Sequence, residues 1–169
     1  KIVKLKEKKK KTKKDSLAIN RKYKGKILWD KNEVDYGRFH GIMSWSFDGN
    51  KLAYAKYHFG ENQSQVNDIK IYDKLLDKHS WLTKSKRATY PTWTDSNKLA
   101  YVSHYNSVSN IFISDLGGQE VTNLTGFTSN TQIAYLAISP DRAKIAFAMN
   151  PKNGNMDIYT IDLESKALT

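Results

Sequence analysis

The sequence predicts an all-β fold, a partial β-propeller built from about three four-stranded antiparallel blades, and three observations point to it. A phrase recurs: Ser44-Trp-Ser-Phe-Asp-Gly-Asn-Lys-Leu-Ala-Tyr54 returns as Thr92-Trp-Thr-Asp-Ser-Asn-Lys-Leu-Ala-Tyr101 and, more loosely, as Ala137-Ile-Ser-Pro-Asp-Arg-Ala-Lys-Ile-Ala-Phe147. Each copy is followed by an alternating segment (Asp68 to Asp73, Asn110 to Asp115, Asp157 to Asp162) and then by a closing Leu-Thr at 82–83, 124–125 and 168–169. The spacing is regular, with Leu52, Leu99 and Ile145 lying 47 and 46 residues apart and Thr83, Thr125 and Thr169 lying 42 and 44 apart. A period of that length with four short strand signals per unit is the signature of propeller blades.

Taken in order, residues 1–14 form a lysine-rich tail and residues 15–40 a transition, in which Gly25 to Asp30 could be a strand. The tail carries nine lysines against Glu7. Like charges repel, and no apolar stripe follows Leu5, so the tail is expected to stay solvated and disordered. The first blade spans about 41–83: an inner strand through Trp45, a turn at Asp48-Gly49, a strand Lys51 to Tyr57, a polar loop from His58 to Asn67, a third strand Asp68 to Asp73, and an outer strand Lys78 to Thr83. Alternation of apolar and polar residues identifies the strands, and Gly49 supplies the left-handed backbone that the turn favours. The second blade spans about 87–125. Its turn, Asp95-Ser96-Asn97, is one residue shorter, with Asn97 expected to adopt the positive φ that glycine supplied before. The third spans about 130–169, with Pro140-Asp141 at its turn and Asn153 to Asn155 joining its middle strands. No helical period competes anywhere in this region.

Composition bounds the possible functions. The 169 residues include 39% hydrophobic ones, enough for one core, and a formal charge of +11 that falls to +3 once the tail is set aside. The basicity therefore belongs to the tail, either as a solvated linker or as an attraction to nucleic acid or anionic membrane. No aromatic residue is interleaved with those lysines as a base-stacking surface would need, which argues against such partners as the main ones. The chain has no cysteine. A disulfide framework, a thiolate nucleophile and a zinc-cysteine site are thereby excluded. No apolar run approaches the roughly 20 residues of a membrane helix. Lys1 begins the chain without an initiator methionine or an apolar signal region, so the N-terminus reads as trimmed. Three blades cannot close a ring, and an open arc leaves an apolar blade face at each end. The expectation is a fragment whose remaining blades lie farther along a parent chain or in another copy.

Chemistry-bearing motifs are sparse. There is no phosphate-cradling Gly-rich loop, no His-Glu-x-x-His pair and no Gly-x-Ser-x-Gly elbow, and no catalytic residue, metal site or cofactor is nominated. His58 and His104 fall near the ends of corresponding second strands and read as ordinary loop positions, and His79 reads as surface beside Trp81. Asp48, Asp95 and Asp141 each stand alone in a turn, where aspartate usually caps its own backbone, and Asp68, Asp73, Asp157 and Asp162 bracket the third strands in the same way. The segments leading into the inner strands are more informative, because they form the rim of a propeller's channel, where partners or ligands bind. There the sequence offers Arg38 and His40, Arg87 and Tyr90, and Gln132 and Tyr135. Cationic or hydrogen-bonding groups beside aromatics suit carboxylates and peptide segments. The alternative is that Arg38 and Arg87 pair with blade aspartates and Tyr90 packs on the next blade.

The pattern Trp-Ser-x-Asp-Gly-x-Lys-Leu-Ala-Tyr, then Asp-Ile-x-x-Tyr-Asp, then Leu-Thr resembles the WD-repeat-like β-propeller of TolB-like proteins over residues from about 40 to 169. The copies depart from it at Phe47, where proline is usual, in the missing glycine of the second turn, and at Ile138 and Arg142 of the third. The resemblance implies a non-catalytic module that recognises a protein or peptide partner at the channel rim, in the periplasm or another extracytoplasmic space. The competing reading is the propeller portion of a larger prolyl-oligopeptidase-like or tricorn-like peptidase, which would gate substrate while the chemistry lies elsewhere.

Overall fold

A computed structural model describes residues 33–151 and 154–169. The tail and the strand expected at Gly25 to Asp30 lie outside the described residues. Eleven strands follow one another from residue 39 onward among these residues: β1 (Phe39–Trp45), β2 (Lys51–Phe59), β3 (Gln65–Asp73), β4 (Lys78–Trp81), β5 (Ala88–Trp93), β6 (Lys98–Tyr105), β7 (Val108–Asp115), β8 (Val121–Asn123), β9 (Gln132–Ile138), β10 (Lys144–Asn150) and β11 (Asp157–Asp162). They make three antiparallel meanders ordered β1-β2-β3-β4, β5-β6-β7-β8 and β9-β10-β11. These are the three predicted blades, one sheet each.

Alternation along the middle strands decides which side chains enter the two inter-blade cores. Ala53, Ala55, Ile69 and Ile71 of the first sheet meet Ala88, Trp93, Leu99 and Tyr101 of the second. Ala100, Val102 and Ile111, on the opposite face of the second sheet, meet Leu136, Ile145, Phe147 and Ile161 of the third. Leu99 and Ala100 are neighbours in sequence yet serve different cores, as the two-residue period of a strand requires. Small alanines on the giving face and large Trp, Leu or Phe on the receiving face let twisted sheets pack closely; each large side chain so buried contributes about 1.5–3 kcal/mol.

Four sequence expectations change. Among the described residues the third sheet has no fourth strand: its outer edge is one isolated bridge, Ile161 with Leu168, closed by the reciprocal backbone bonds of Thr160 and Thr169 at 2.8 and 2.9 Å. Ser165 and Lys166, turn-forming and exposed, separate β11 from that bridge. The first blade begins earlier than expected, with Phe39 and His40 already in β1. β2 continues to Phe59, so His58 is a strand residue and not a loop one. Asn97 has no positive φ; instead its N–H donates to Asp95 Oδ1 at 2.6 Å, which shapes the shorter turn without a left-handed residue. At the third turn it is Arg142 that takes the glycine-like conformation, at φ 62° against 68° for Gly49. Its guanidinium lies 3.7 Å from the centre of the Phe47 ring, so the first and third turns touch through a cation–π contact.

Candidate functional site

The inner strands β1, β5 and β9 share an irregularity at one level. Between His40 and Ser44, between Thr89 and Thr92, and between Ala134 and Ala137, the pairing with the middle strand slips. Each slip is a β-bulge, and each carries a left-handed residue: Gly41 (φ 69°), Tyr90 (φ 50°) and Tyr135 (φ 59°). For a tyrosine this backbone costs about 1–3 kcal/mol and persists only where packing compels it. The compulsion is visible, because a Cβ on Gly41 would lie 2.7 Å from Tyr90 Cε1. The ring of Tyr90 occupies the space that the glycine leaves. Tyr135 in turn rests on Tyr90, with ring centroids 5.1 Å apart.

Other side chains extend this line. His40 Nε2 is 3.3 Å from the Tyr90 hydroxyl, with the rings 5.5 Å apart and edge-on, and the Arg38 guanidinium lies 4.8 Å from the centre of the Tyr57 ring. Arg38, Tyr57, His40, Tyr90 and Tyr135 therefore form a continuous cationic and aromatic surface across three blades. Tyr90 is half-buried, and its hydroxyl pKa is raised by that burial and by its neighbours Tyr135 and Tyr57; Tyr135 is 59% exposed at the end of the line. Four of the six sequence-nominated residues thus meet here. Tyr57 was missed because it lies on a middle strand, in a position the rim argument does not reach. Arg38 does not pair with a blade aspartate but lies on an aromatic face, while Tyr90 packs on both neighbouring blades.

Arg87 and Gln132 stand slightly apart. Both line an open concavity of about 1650 Å³ beside the second blade, together with Lys84, Lys86, His104 and Tyr105. Gln132 Nε2 donates to the Ser107 carbonyl at 3.2 Å, tying the third inner strand to the turn between β6 and β7. His104 accepts or donates at both nitrogens, with Ser109 Oγ at 2.8 Å and Thr89 Oγ1 at 3.5 Å. Burial pushes its pKa down, and the charges of His40 and Arg87 act in the same direction. Neutral His104 is a strut under the rim, a role the loop assignment concealed.

His58 has a comparable structural part. Its Nε2 lies 2.6 Å from Oδ2 of Asp68, which is wholly buried and also accepts from Thr83 Oγ1 (2.8 Å) and from the backbone N–H groups of Ser85 (2.7 Å) and Lys86 (2.9 Å). The bonds run to the linker that enters the second blade, so this aspartate fixes a connection and not its own turn. Asn110 repeats the device one blade later, accepting from Thr125 Oγ1 and the Phe127 N–H. Asp73 and Asp162 behave as expected, each accepting from amides two and three residues onward, and Asp115 does the same over four and five.

No family model matches the chain. The Tol-Pal system protein TolB of Ruthia magnifica subsp. Calyptogena magnifica is 31% identical over 126 residues, which is 73% of this chain and 29% of that protein. Two solved structures share the fold: TolB from Acinetobacter baumannii, with a TM-score of 0.64 at 20% identity over 78% of this chain and 32% of that one, and a putative TolB from Agrobacterium tumefaciens, with 0.66 at 18% over 80% and 50%. A puromycin-hydrolysing peptidase of Mycobacterium tuberculosis also aligns, at a TM-score of 0.62 and 16% identity over 79% of this chain and 22% of that one. The chain spans about a third of the length of the curated relative that it matches. With three repeats in register, inter-blade cores of the same construction and this sequence match, the chain belongs to the TolB-like β-propeller family.

Proposed function

We propose that this propeller segment is a non-catalytic binding module that holds an extended, carboxylate-bearing peptide of a protein partner on its inner-strand rim. The observation that carries the reading is the alignment of Arg38, His40, Tyr90 and Tyr135 across three separate blades, with two tyrosines held in a strained backbone. Strain of that kind clusters at recognition sites. The guanidinium offers paired N–H donors to a carboxylate, and the tyrosines offer apolar area that costs little side-chain entropy to order. Arg87 and Gln132 extend the surface into the adjoining concavity, where Lys84 and Lys86 add positive charge. The family likeness supports a protein partner and an extracytoplasmic location.

The test is selection of binding peptides from a displayed random library, followed by fluorescence anisotropy with the enriched sequences. Acidic residues should be enriched. Arg38→Ala and Tyr135→Ala should each weaken binding about tenfold or more, the range of a rim anchor. Binders indifferent to both substitutions would overturn the assignment. The likeness to a peptidase propeller supports a second reading, in which the same rim admits substrate to a catalytic domain outside this sequence. Its mark would be preference for short, end-exposed peptides over the same sequence embedded in a loop.

A further inference from the structure

The linker from the first blade to the second gathers three cations into four residues, Lys84-Ser-Lys-Arg87, on a backbone that is anchored along its length. Thr83 Oγ1 and the N–H groups of Ser85 and Lys86 donate to Asp68, the Ser85 hydroxyl accepts the Glu61 N–H at 2.9 Å, and the Lys86 carbonyl accepts from Ser103 Oγ at 2.6 Å. Ser85 and Arg87 are held left-handed, at φ 55° and 51°. A backbone so fixed keeps Lys84, Lys86 and Arg87 close together against their mutual repulsion. All three side chains are exposed, and among the described residues no carboxylate pairs with any of them.

These cations line the concavity of about 1650 Å³, which runs along the second blade from its outer turn, where a Cβ on Gly118 would lie 3.2 Å from the Leu82 carbonyl, to Gln132 at the rim. Among the described residues no acidic side chain lines it. Asp68 and Asp115 are turned instead to backbone N–H groups of the linker and of the outer turn. At the β6–β7 hairpin Tyr105 presents its ring, 78% exposed, beside Asn106. The volume exceeds the roughly 300–1,000 Å³ of a small-molecule pocket, so an oligomer fits it better than a single small anion. The main chain of the walls is largely taken: besides the linker, the Ser107 carbonyl accepts from Gln132, and the N–H and carbonyl of Phe127 both bond to Asn110. An extended peptide, which docks by pairing its main chain with a free edge, finds little here to pair with. A polymer read through its side groups does not need one.

We infer that this cleft takes an acidic oligosaccharide, with its carboxylate or sulfate groups on Lys84, Lys86 and Arg87 and a sugar ring against Tyr105. Three donors without counter-ions suit anionic oxygens, and the Asn106 amide and the Ser107 and Thr128 hydroxyls suit ring hydroxyls. The face of the Tyr105 ring suits the apolar face of a sugar, with the phenol left as a polar handle. A row of one sign of charge in a concave wall also raises the local concentration of such a polyanion before contact. The cleft meets the peptide rim only at Arg87 and Gln132, so the two readings stand independently.

Heteronuclear NMR on the whole chain, titrated with a tetrasaccharide of uronic acids, decides the matter. The amides of Lys84 to Arg87 and of Tyr105 to Ser107 should shift together and saturate, and the carboxyl-reduced, neutral tetrasaccharide should leave them unmoved. A Lys84→Ala, Lys86→Ala double variant should weaken binding about tenfold, the range of two exposed charge contacts, and Tyr105→Ala should weaken it several-fold. All three side chains are exposed, so folding should survive, with unchanged amide signals outside the cleft as the check. Arg38→Ala and Tyr135→Ala, which test the rim, should leave saccharide binding as it is. Shifts confined to residues 1–14 would show that the lysine tail alone collects the polyanion, and would overturn the site. Tetraglutamate carries the same charge and should bind about tenfold more weakly. Equal affinity at the same amides would overturn the saccharide and make the cleft part of the peptide surface.

Discussion

Asp68 shows how much a single side chain can organise. It is the only fully buried acid among the described residues, and its two oxygens meet an imidazole from β2 and a hydroxyl and two backbone N–H groups from the stretch 83–86. Removing it would strand the donors of Ser85, Lys86 and Thr83 together. Asp68→Ala is therefore expected to cost about 3–5 kcal/mol in urea unfolding, in line with the breaking of a buried charged network. Asp68→Asn should cost less, because its Oδ1 can still accept from Thr83 and Lys86 as Asn110 Oδ1 accepts from Thr125 and Phe127, while its amide NH2 would face the Ser85 N–H; equal losses would show that the second acceptor oxygen is what the site requires. The repeat placed this residue in the third strand, but at its head, whereas the strand begins three residues earlier, at Gln65. Its partners lie 10 to 18 residues away across a linker, a distance over which no local pattern speaks. The same limit hid the strut role of His104, whose partners Thr89 and Ser109 lie on two different strands.

At the level of elements, the strands were legible because period-two alternation and the Asp-Gly type of turn act within a few residues. The bulges were not, since nothing about Tyr90 or Tyr135 announces a left-handed backbone, and only the next blade's ring against Gly41 explains it. That only an isolated bridge follows β11 among the described residues was likewise invisible in a Leu-Thr ending that matched the other two. Joints between blades rest on large side chains inserted into small ones, and Trp93 is the largest. Trp93→Ala is expected to destabilise by about 3–5 kcal/mol, the cost of a large core truncation, whereas Trp93→Phe should cost roughly 1–2 kcal/mol for the lost hydrogen bond to Ser44 and the smaller ring. Thermal and urea denaturation of both variants would check the order. A Phe variant as damaged as the Ala one would indicate that the indole N–H, and not the filled volume, holds the first two blades together.

For the molecule as a whole, repetition spreads its acid sensitivity across every blade. Hydrogen bonding holds Asp48 down to about 2, chiefly through the Ser46 hydroxyl, and Asp141 is lowered chiefly by Ser139. Asp115 and Asp162 are lowered chiefly by backbone amides, at Glu120 and Ser165 respectively. Each carboxyl binds its proton less readily when folded than when unfolded, where its value is 3.8. The stabilisation is complete above that value and is lost as the pH falls through the lowered ones. The urea midpoint should therefore drop between pH 5 and pH 2.5, and a Ser46→Ala, Ser139→Ala double variant should drop less steeply. Identical slopes would remove these turns from the account. His104 opens a separate, milder window below 6.5, since the fold favours its neutral form.

The bulges carry one more implication for how such a chain can change over generations. The first holds Gly41, Ile42 and Met43 between paired positions, while the second and third hold only two residues each, yet pairing resumes in step beyond all three. An insertion is absorbed there without shifting the tryptophan level below or the linker above. Duplicated blades can thus acquire different lengths, and so different side chains along the inner edge, while the scaffold that presents them stays the same.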